Sequence, residues 1–348
     1  MNKTKYNPNL KLETVSETDW NIDLKEFKYS IFLTSEWLNA MQNENTKPVY
    51  FNFILNDKVV GKLSGFVCFI DKIRGTQLYF YASVALKEFE QTLYDNCHAA
   101  IYKFAKVNNY TRIIIGSYDQ QHTLICKARR FFTTKRFEYV VNLETNLKFN
   151  RNFTRSYKRA ENFGLQCIHE NSEEMLNKLF ELLFLTKEHR VSKYGSDYNP
   201  LFLRYLTKES MQRLIKTNMT KLCYVAFNND IHIVTCYIEE NNRISGLLLG
   251  SDNFSYQMGL PAFITATMFQ KFKDNNIKYY NSGGGTKDAG NKGLEQFKQS
   301  MGGEKIFVFG ATTNFITFPR ILLNPLMNLG RIIPDNNPIV AFIKNKFT

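Results

Sequence analysis

The order of apolar and polar positions predicts a mixed α/β protein. Residues 49–70 hold two runs of β-branched and aromatic residues that flank Asn56-Asp57, the pattern of a β-hairpin. Residues 88–108 keep apolar side chains at helical spacing, and the run at 111–117 predicts a further strand. A short basic helix is expected at 122–133. The first half therefore combines antiparallel strands with at least one amphipathic helix.

The second half repeats this order. Residues 221–252 predict three strands joined by Asn-rich turns. Residues 247–305 then give a short apolar run, a polar loop with Gly259, a helix and a second apolar run, which together predict a βαβ unit. Such units place loops and helix N-termini at the carboxyl ends of strands, where α/β proteins bind ligands. Two copies of one fold are therefore favoured over two unrelated domains.

Helices are expected between the two sets of strands. Arg151, Arg155 and Arg159 recur every four residues, so they line one face of a helix. Further helices are expected at 172–188 and 200–216, with a polar loop between them. The elements predict domains at 1–147 and 148–314, followed by an apolar, basic tail at 315–348.

The amino-acid composition shows that the protein is basic. The 348 residues are 44% hydrophobic, which is enough for two cores, and 45 Lys and Arg against 32 Asp and Glu give a net charge of +13. This charge predicts a basic face for an anionic partner such as nucleic acid, a phosphorylated substrate or anionic lipid. The alternative is a charge spread thinly over the whole surface.

Cysteine, histidine and the N-terminal sequence narrow the class of protein. The six cysteines lie far apart without a CxxC motif, so they predict buried thiols in a reducing compartment. No histidine pairs with a cysteine or an acid at metal-ligand spacing, so no metal site is expected. Residues 1–20 lack an apolar stretch, and no run is long and apolar enough to span a membrane. The expected location is the cytoplasm.

Three motifs stand in order in the second half of the chain. They are RNFTRSYKRAENFGLQ at 151–166, LLLGSDNFSYQMGLPAFITATMF at 247–269 and GLEQFKQSMGG at 293–303. These motifs resemble the basic helix, the strand–loop–helix and the Gly-Leu-x-x-Phe-Lys helix of the Fem family of aminoacyl-tRNA-dependent peptidyltransferases and of related polysaccharide-type GNAT acyltransferases. The resemblance covers about residues 30–312. It implies two tandem GNAT-like domains, each a mostly antiparallel sheet flanked by helices, with the acyl-transfer site in the second.

The loop Tyr256–Ala262 departs from the pattern of CoA-dependent GNAT enzymes. Those enzymes carry Arg/Gln-x-x-Gly-x-Gly/Ala after the central strand, whereas here Tyr256 replaces the Arg or Gln and Gln257 lies one residue too close to Gly259. Backbone amides at the start of the next helix still offer an anion site. The loop therefore favours a Fem-like or polysaccharide-type enzyme over an ordinary acetyl-CoA enzyme.

The resemblance implies roles for two pairs of residues. Phe297 and Lys298 are placed at the acyl-donor carbonyl, where Lys298 offsets developing negative charge. The alternative for Lys298 is a lysine in the last turn of a helix, stabilised there by the helix dipole. Arg190 and Tyr194 lie in the polar loop where this family approaches its acceptor, and the alternative is an ordinary loop.

The chemistry of acyl transfer supplies further candidates. It needs an amine placed against a carbonyl, a proton acceptor and stabilisation of the oxyanion. Asp252 is a candidate for accepting the amine proton and Tyr256 for donating to the acyl carbonyl, although Asp252 also suits a turn. Ser251 and Asn281 end the strands beside these residues, and Gly283–Gly285 permit close ligand approach or form a flexible loop.

The arginines of the basic helix suit a phosphate-bearing substrate. Guanidinium groups donate bidentately, so Arg151, Arg155 and Arg159 are candidates for binding the phosphates of a tRNA or of a nucleotide-linked acceptor. The alternative is a solvated basic helix face.

The tail at 315–348 differs in character from the rest of the chain. It is apolar, carries four basic residues and is cut by four prolines, which exclude a continuous spanning helix. Short amphipathic pieces at an anionic membrane surface are one expectation, and packing on the second domain is the other.

The sequence thus predicts a cytoplasmic acyltransferase of cell-envelope biogenesis, with peripheral contact at the inner face of the membrane as an open alternative. Its acceptor is expected to be an amine or hydroxyl of an envelope sugar or peptide precursor. Its donor is expected to be acyl-CoA, acyl carrier protein or aminoacyl-tRNA, with no tightly bound cofactor. The positive charge favours an RNA or anionic-protein donor. The rival prediction is a catalytically inert, GNAT-shaped binding module for nucleic acid or anionic membrane.

Overall fold

The computed structural model describes residues 7, 9–194, 199–284 and 291–332. The chain divides into two compact units, one formed by residues 1–136 and 308–348 and the other by residues 137–307. The predicted domains at 1–147, 148–314 and 315–348 remain a prediction, and the compact units are cut at other positions.

Both units combine runs of consecutive strands with helices. The strands are β1 (Lys11–Val15), β2 (Thr46–Leu55), β3 (Lys58–Phe69), β4 (Thr76–Phe80), β5 (Ala85–Leu86), β6 (Ile113–Ile115), β7 (Phe131–Asn142), β8 (Cys167–His169), β9 (Thr220–Phe227), β10 (Asp230–Glu240), β11 (Arg243–Ser251), β12 (Tyr279–Asn281) and β13 (Glu304–Thr313). The α-helices are α1 (Glu17–Asn21), α2 (Ser35–Met41), α3 (Gln91–Val107), α4 (Arg151–Glu161), α5 (Glu173–Tyr194), α6 (Lys208–Leu214), α7 (Asn253–Met258), α8 (Leu260–Asp274), α9 (Asn291–Ser300) and α10 (Asn324–Ile332). Short 3₁₀ helices lie at Leu24–Glu26, Ile31–Leu33 and Arg320–Leu323.

The first unit is built on a sheet in the order β1-β2-β3-β4-β6-β13, with β5 paired to β3. β2 and β3 form the predicted hairpin, and Asn56 and Asp57 have positive φ angles of 50° and 59°, as a type I′ turn requires. α3 packs on β2, since the rings of Phe51 and Phe104 lie 5.0 Å apart. β4 and β6, on either side of α3 in sequence, pair in parallel.

The second unit is built on a sheet in the order β7-β12-β11-β10-β9-β8. β8 to β11 pair antiparallel, and Asn pairs at 228–229 and 241–242 take positive φ at the two hairpin turns. β11 and β12, on either side of α7 and α8 in sequence, pair in parallel. α8 buries Phe263, Phe269 and Phe272 in a core that also contains Phe153 of α4.

The two units therefore repeat one arrangement, which confirms the predicted mixed α/β fold class. Each has an antiparallel hairpin followed by a parallel pair of strands with a helix between them in sequence. This order arises because each half carries an Asn-rich turn between apolar runs and then an amphipathic helix.

Some element predictions were wrong. Residues 122–133 do not form a helix, because the aromatic and β-branched residues from Phe131 onward begin β7. The loop expected after residue 188 is helical as far as Tyr194, since no Gly or Pro interrupts α5. The helix expected at 200–216 is confined to α6, which begins after a capping box between Thr207 and Ser210.

None of the described helices combines the length and apolarity that a membrane span requires. Nor do the described residues contain a group of three or more His, Cys, Asp or Glu that could hold a metal ion.

Candidate functional site

β11 extends well beyond its parallel neighbour β12. Only Arg243, Ile244 and Ser245 pair with β12, at Tyr279–Asn281, although β11 is nine residues long. In the described part of the chain, the rest of β11 therefore has no β12 residue beside it. An unpaired strand edge presents backbone N–H and C=O groups that an extended ligand can bind.

A β-bulge interrupts the other edge of β11. Cys236 of β10 lies opposite Leu248, but the next residue, Tyr237, lies opposite Gly246. Leu247 is therefore the extra residue of the bulge, and it has no opposite partner on β10. Bulges of this kind often lie next to active sites because they redirect backbone and side-chain groups.

Gly250 allows α5 to pack directly on the end of β11. A Cβ at this position would lie 2.8 Å from Leu182 Cβ and 2.9 Å from the backbone of Leu179 and Leu183. Thr186 then joins the two elements, since its Oγ1 donates to the carbonyl of Ser251 at 2.9 Å and accepts from the Ser251 amide at 3.2 Å. The last residue of β11 is thus fixed against the middle of α5.

A cleft of about 480 Å³ opens where α5, the end of β11 and α7 meet. The side chains that line it are mostly polar: Leu185, Glu188, His189, Ser192, Ser251, Asp252, Asn253, Phe254 and Tyr256. The predicted residues Ser251, Asp252 and Tyr256 therefore come together in one place. Tyr256 is 49% exposed, and its ring stacks against that of His189 with centroids 6.3 Å apart.

Asp252 holds two hydrogen bonds at the edge of the cleft. Its Oδ1 accepts from the amide of Ser255, which makes Asp252 the N-cap of α7. Its Oδ2 lies 2.7 Å from Nδ1 of His232, and the Asp252 amide donates to the His232 carbonyl at 3.2 Å. Asp252 therefore caps a helix and contacts a histidine. Each of its carboxylate oxygens keeps a further lone pair for a ligand.

Ser251 presents a buried hydroxyl to the cleft. The residue is 1% exposed, and its Oγ has no hydrogen-bond partner among the described residues. Buried polar groups are nearly always hydrogen-bonded, so an unsatisfied hydroxyl that lines a cleft indicates a place for a ligand atom or water.

Lys298 is a residue of α9 whose ammonium group contacts the turn after β12, and it is not among the residues that line this cleft. Its side chain is buried, and Nζ donates to the carbonyls of Ser282, Gly283 at 3.2 Å and Gly284 at 2.6 Å. Asn281 shapes the same turn, because its Oδ1 accepts from the Gly283 amide at 2.8 Å. The predicted contact of Lys298 with an acyl donor stays a prediction, as does ligand binding by Asn281, and Gly285 lies outside the described residues.

Helix α9 is held in place by Tyr139 of β7. The Tyr139 hydroxyl donates to Glu295 Oε2 at 2.6 Å, and burial together with this carboxylate raises the pKa of Tyr139 to about 12. The phenol therefore stays protonated and remains a donor near neutral pH. Phe297 is half-buried on the same helix, with its ring 5.9 Å from that of Phe153.

The remaining predicted residues lie on α4 and α5. Arg151, Arg155 and Arg159 are all exposed on α4, and Arg159 Nη1 donates to the Gln257 carbonyl at 2.5 Å. Arg190 lies within α5, not in the loop predicted for it. Tyr194 is the last residue of α5, and its side chain lies outside the described part of the chain. Phosphate and acceptor binding by these residues stay predictions.

The loop that departs from the CoA-binding pattern is mostly helical. Residues 253–258 form α7, which ends at Gly259 with φ 81°. A Cβ on Gly259 would meet the Ser156 carbonyl at 2.4 Å, so α4 packs tightly against this turn. The predicted polar loop is therefore wrong in conformation, because Asp252 caps a helix where a loop was expected.

Sequence reasoning missed His189 and His232. Histidines were considered in the sequence only as metal ligands, yet His232 contacts Asp252 and His189 lines the cleft. The position of His232 follows from the register of β10 and β11. In a regular hairpin that starts at the Glu240–Arg243 pair, His232 would lie opposite Ser251. The extra residue Leu247 shifts the register by one, so that His232 lies opposite Asp252. Only a prediction of the bulge would have found it.

Comparisons with known proteins give a match at the level of structure. No protein-family model matches the chain, and curated protein sequences give no match either. FemX superposes with a TM-score of 0.68 at 11% identity, covering 91% of this chain and 99% of that chain. L-PGS from Bacillus licheniformis gives 0.54 at 13% identity, covering 91% and 98%.

A third solved structure is the C-terminal domain of a putative lysylphosphatidylglycerol synthetase from Agrobacterium fabrum. It gives a TM-score of 0.52 at 10% identity, covering 92% of this chain and 98% of that chain. Identities this low show the fold alone. The chain therefore has the fold of FemX, as its Fem-like motifs predict.

Proposed function

We propose that the unit of residues 137–307 transfers an acyl or aminoacyl group to an amine or hydroxyl of a cell-envelope sugar or peptide precursor. The observation that carries this proposal is the end of β11, where the unsatisfied Ser251 hydroxyl and the Asp252–His232 pair share one cleft. The fold in common with FemX and with a putative lysylphosphatidylglycerol synthetase supports it.

Asp252 is the proposed proton acceptor. The acceptor nitrogen or oxygen attacks the carbonyl carbon of the donor, and the acceptor's proton passes to the Asp252 carboxylate. The bond to the leaving sulfur or oxygen then breaks, and this atom takes the proton, which restores the carboxylate. The hydrogen bond from His232 to Oδ2 at 2.7 Å fixes the orientation of this carboxylate and leaves its second lone pair to accept the proton. Ser251 hydrogen-bonds the acceptor, and Tyr256, half-exposed across the cleft, donates to the carbonyl oxygen.

The proposed donor lies along the unpaired part of β11. The six residues from Gly246 to Ser251 run beyond β12, and the bulge at Leu247 interrupts the regular pairing there. An extended thioester arm of acyl-CoA or acyl carrier protein, or the end of an aminoacyl-tRNA, suits such an edge. The exposed arginines of α4 and the net charge of +13 favour the RNA donor.

The experiment is a label-transfer assay on the full chain. Radiolabelled acetyl-CoA and a radiolabelled aminoacyl-tRNA mixture are offered separately with an amine-bearing, nucleotide-linked sugar–peptide acceptor. We expect transfer from at least one donor. No transfer from either donor, together with strong RNA binding, would favour the inert binding module instead.

Ser251→Ala tests the cleft within the same assay. The Ser251 hydroxyl has no partner among the described residues, so we expect its removal to leave the free energy of unfolding unchanged or slightly higher. The KM for the acceptor should rise by about fivefold to tenfold, the value of one lost hydrogen bond. An unchanged KM would show that Ser251 does not bind the acceptor.

A further inference from the structure

The segment from Phe315 to Arg331 sorts its apolar side chains into two sets. Phe315, Ile316 and Met327 are buried in the first unit. Exposed in contrast are Phe318 at 76%, Ile321 at 42%, Leu322 at 68%, Leu326 at 40% and Leu329 at 49%. Five large apolar side chains exposed within twelve residues form a concentrated patch, which marks an interaction surface more often than scattered single residues do.

The exposed leucines share one side of a helix. The 3₁₀ helix Arg320–Leu323 runs directly into α10, and Leu322, Leu326 and Leu329 are spaced i, i+4 and i+7 along it. This spacing places the three side chains on one face, whereas Met327 between them is 5% exposed and packs inward. We call Phe318, Leu322, Leu326 and Leu329 the leucine face.

Polar contacts hold the segment together and attach it to the first unit. Within the segment, the side-chain amide of Asn324 accepts from the Phe315 N–H at 2.9 Å and donates to the Phe315 carbonyl at 3.0 Å. Arg320 donates to the carbonyls of Lys72 and Ile73 at 2.9 and 2.6 Å. The leucine face is therefore exposed on an anchored element, not on a loosely attached chain end.

The stretch of chain that carries the leucine face has basic residues and no acidic ones. No acidic residue occurs from residue 305 to residue 334. Arg320 contacts backbone carbonyls, and Arg331 contacts the side-chain oxygens of Asn314 and Asn328 and stacks on Phe132 at 3.8 Å. Among the described residues, no salt bridge joins either guanidinium to a carboxylate.

From this arrangement we propose that the leucine face docks on the surface of an anionic phospholipid bilayer. Exposed leucine and phenylalanine side chains enter the boundary between headgroups and acyl chains, while Arg320 and Arg331 bind lipid phosphates at the rim. Helices that lie in the interface have this combination of one apolar face and flanking cations. The proposal concerns the first unit alone and does not depend on the acyl-transfer activity.

Vesicle co-sedimentation of the full chain tests the proposal. Phosphatidylcholine vesicles are compared with vesicles that also contain phosphatidylglycerol, for the wild type and for the double variant Leu322→Glu, Leu326→Glu. We expect the wild type to bind the anionic vesicles more tightly and to lose binding with added salt. The double variant should bind about tenfold or more weakly, because two carboxylates replace inserted apolar side chains.

Val107→Glu is the matched control, since Val107 is 73% exposed at the end of α3 in the same unit. It should bind as the wild type does. If the double glutamate variant fails to fold, Leu322→Ser replaces it in the test. The Leu322 side chain is already two-thirds exposed, so this variant should fold, and it should also bind the anionic vesicles more weakly.

Three results would overturn the proposal. The wild type could fail to bind anionic vesicles, or the double variant could bind them as tightly as the wild type does. The third result is that the wild type is a dimer in solution whereas the double variant is a monomer. The last result would identify the leucine face as a contact between two copies of the chain.

Discussion

Replacing Gly250 by alanine should loosen the contact that forms the cleft. The new Cβ would stand 2.8 Å from Leu182 Cβ and 2.9 Å from the Leu179 carbonyl and the Leu183 amide. Two of these three atoms belong to the backbone of α5, so a rotamer change cannot relieve the clash. Helix and strand must separate by about 0.5 Å to regain ordinary contact at 3.4 Å.

Overpacking of this kind costs about 1–3 kcal/mol of the free energy of unfolding. The same displacement strains the two Thr186–Ser251 hydrogen bonds and misplaces the cleft residues, so acyl transfer should fall by about tenfold. Denaturant unfolding followed by far-UV circular dichroism measures the first effect, and initial rates of label transfer measure the second.

Gly293→Ala is the control for a glycine-to-alanine change. A Cβ at Gly293 meets no atom within 4 Å, and the residue lies in the first turn of α9, so the variant should gain up to about 1 kcal/mol. A Gly250→Ala protein as stable as the wild type would refute the close packing of α5 on β11.

Two further predictions concern Lys298 and the buried histidines. Lys298→Ala leaves the carbonyls of Ser282, Gly283 and Gly284 without their ammonium donor, so the free energy of unfolding should fall by about 1–3 kcal/mol. The donor contact that the Fem resemblance implies for Lys298 also predicts a fall in label transfer of about 100-fold, and undiminished transfer would contradict that contact. Burial lowers the pKa of His98 and of His122 from 6.5 to about 4, so the folded state binds fewer protons than the unfolded state below pH 6.5. Stability should therefore be lost as the pH falls from 6.5 to 4, by up to about 3 kcal/mol for each histidine, and urea unfolding that is unchanged across this range would contradict the prediction.

The sequence predicted the structure best where neighbouring residues determine the backbone conformation. The Asn pairs at 228–229 and 241–242 adopt positive φ at hairpin turns, as did Asn56-Asp57. The basic helix at 151–161 also formed where its arginine spacing predicted it. These features depend on residues adjacent in sequence, so no tertiary information was needed.

The candidate site was less predictable because it depends on long-range contacts. The pairing of His232 with Asp252 follows from a bulge at Leu247 that no local pattern indicates. The contacts of Lys298 with residues 282–284 require the end of β12 to lie beside α9. Asp252 was predicted as a turn residue or a base, whereas its role as a helix cap depended on residues 253–258 being helical.

Asp252→Asn tests the central claim most directly, namely that the cleft at the end of β11 is the place of acyl transfer. Asparagine keeps the shape of the side chain and the helix cap, so the fold should be unaffected, while the proton acceptor is lost. Single-turnover label transfer should slow by about 10²–10⁴-fold, whereas the control Asp274→Asn, at an exposed residue of α8, should react like the wild type. A rate for Asp252→Asn equal to that of the wild type would contradict the account.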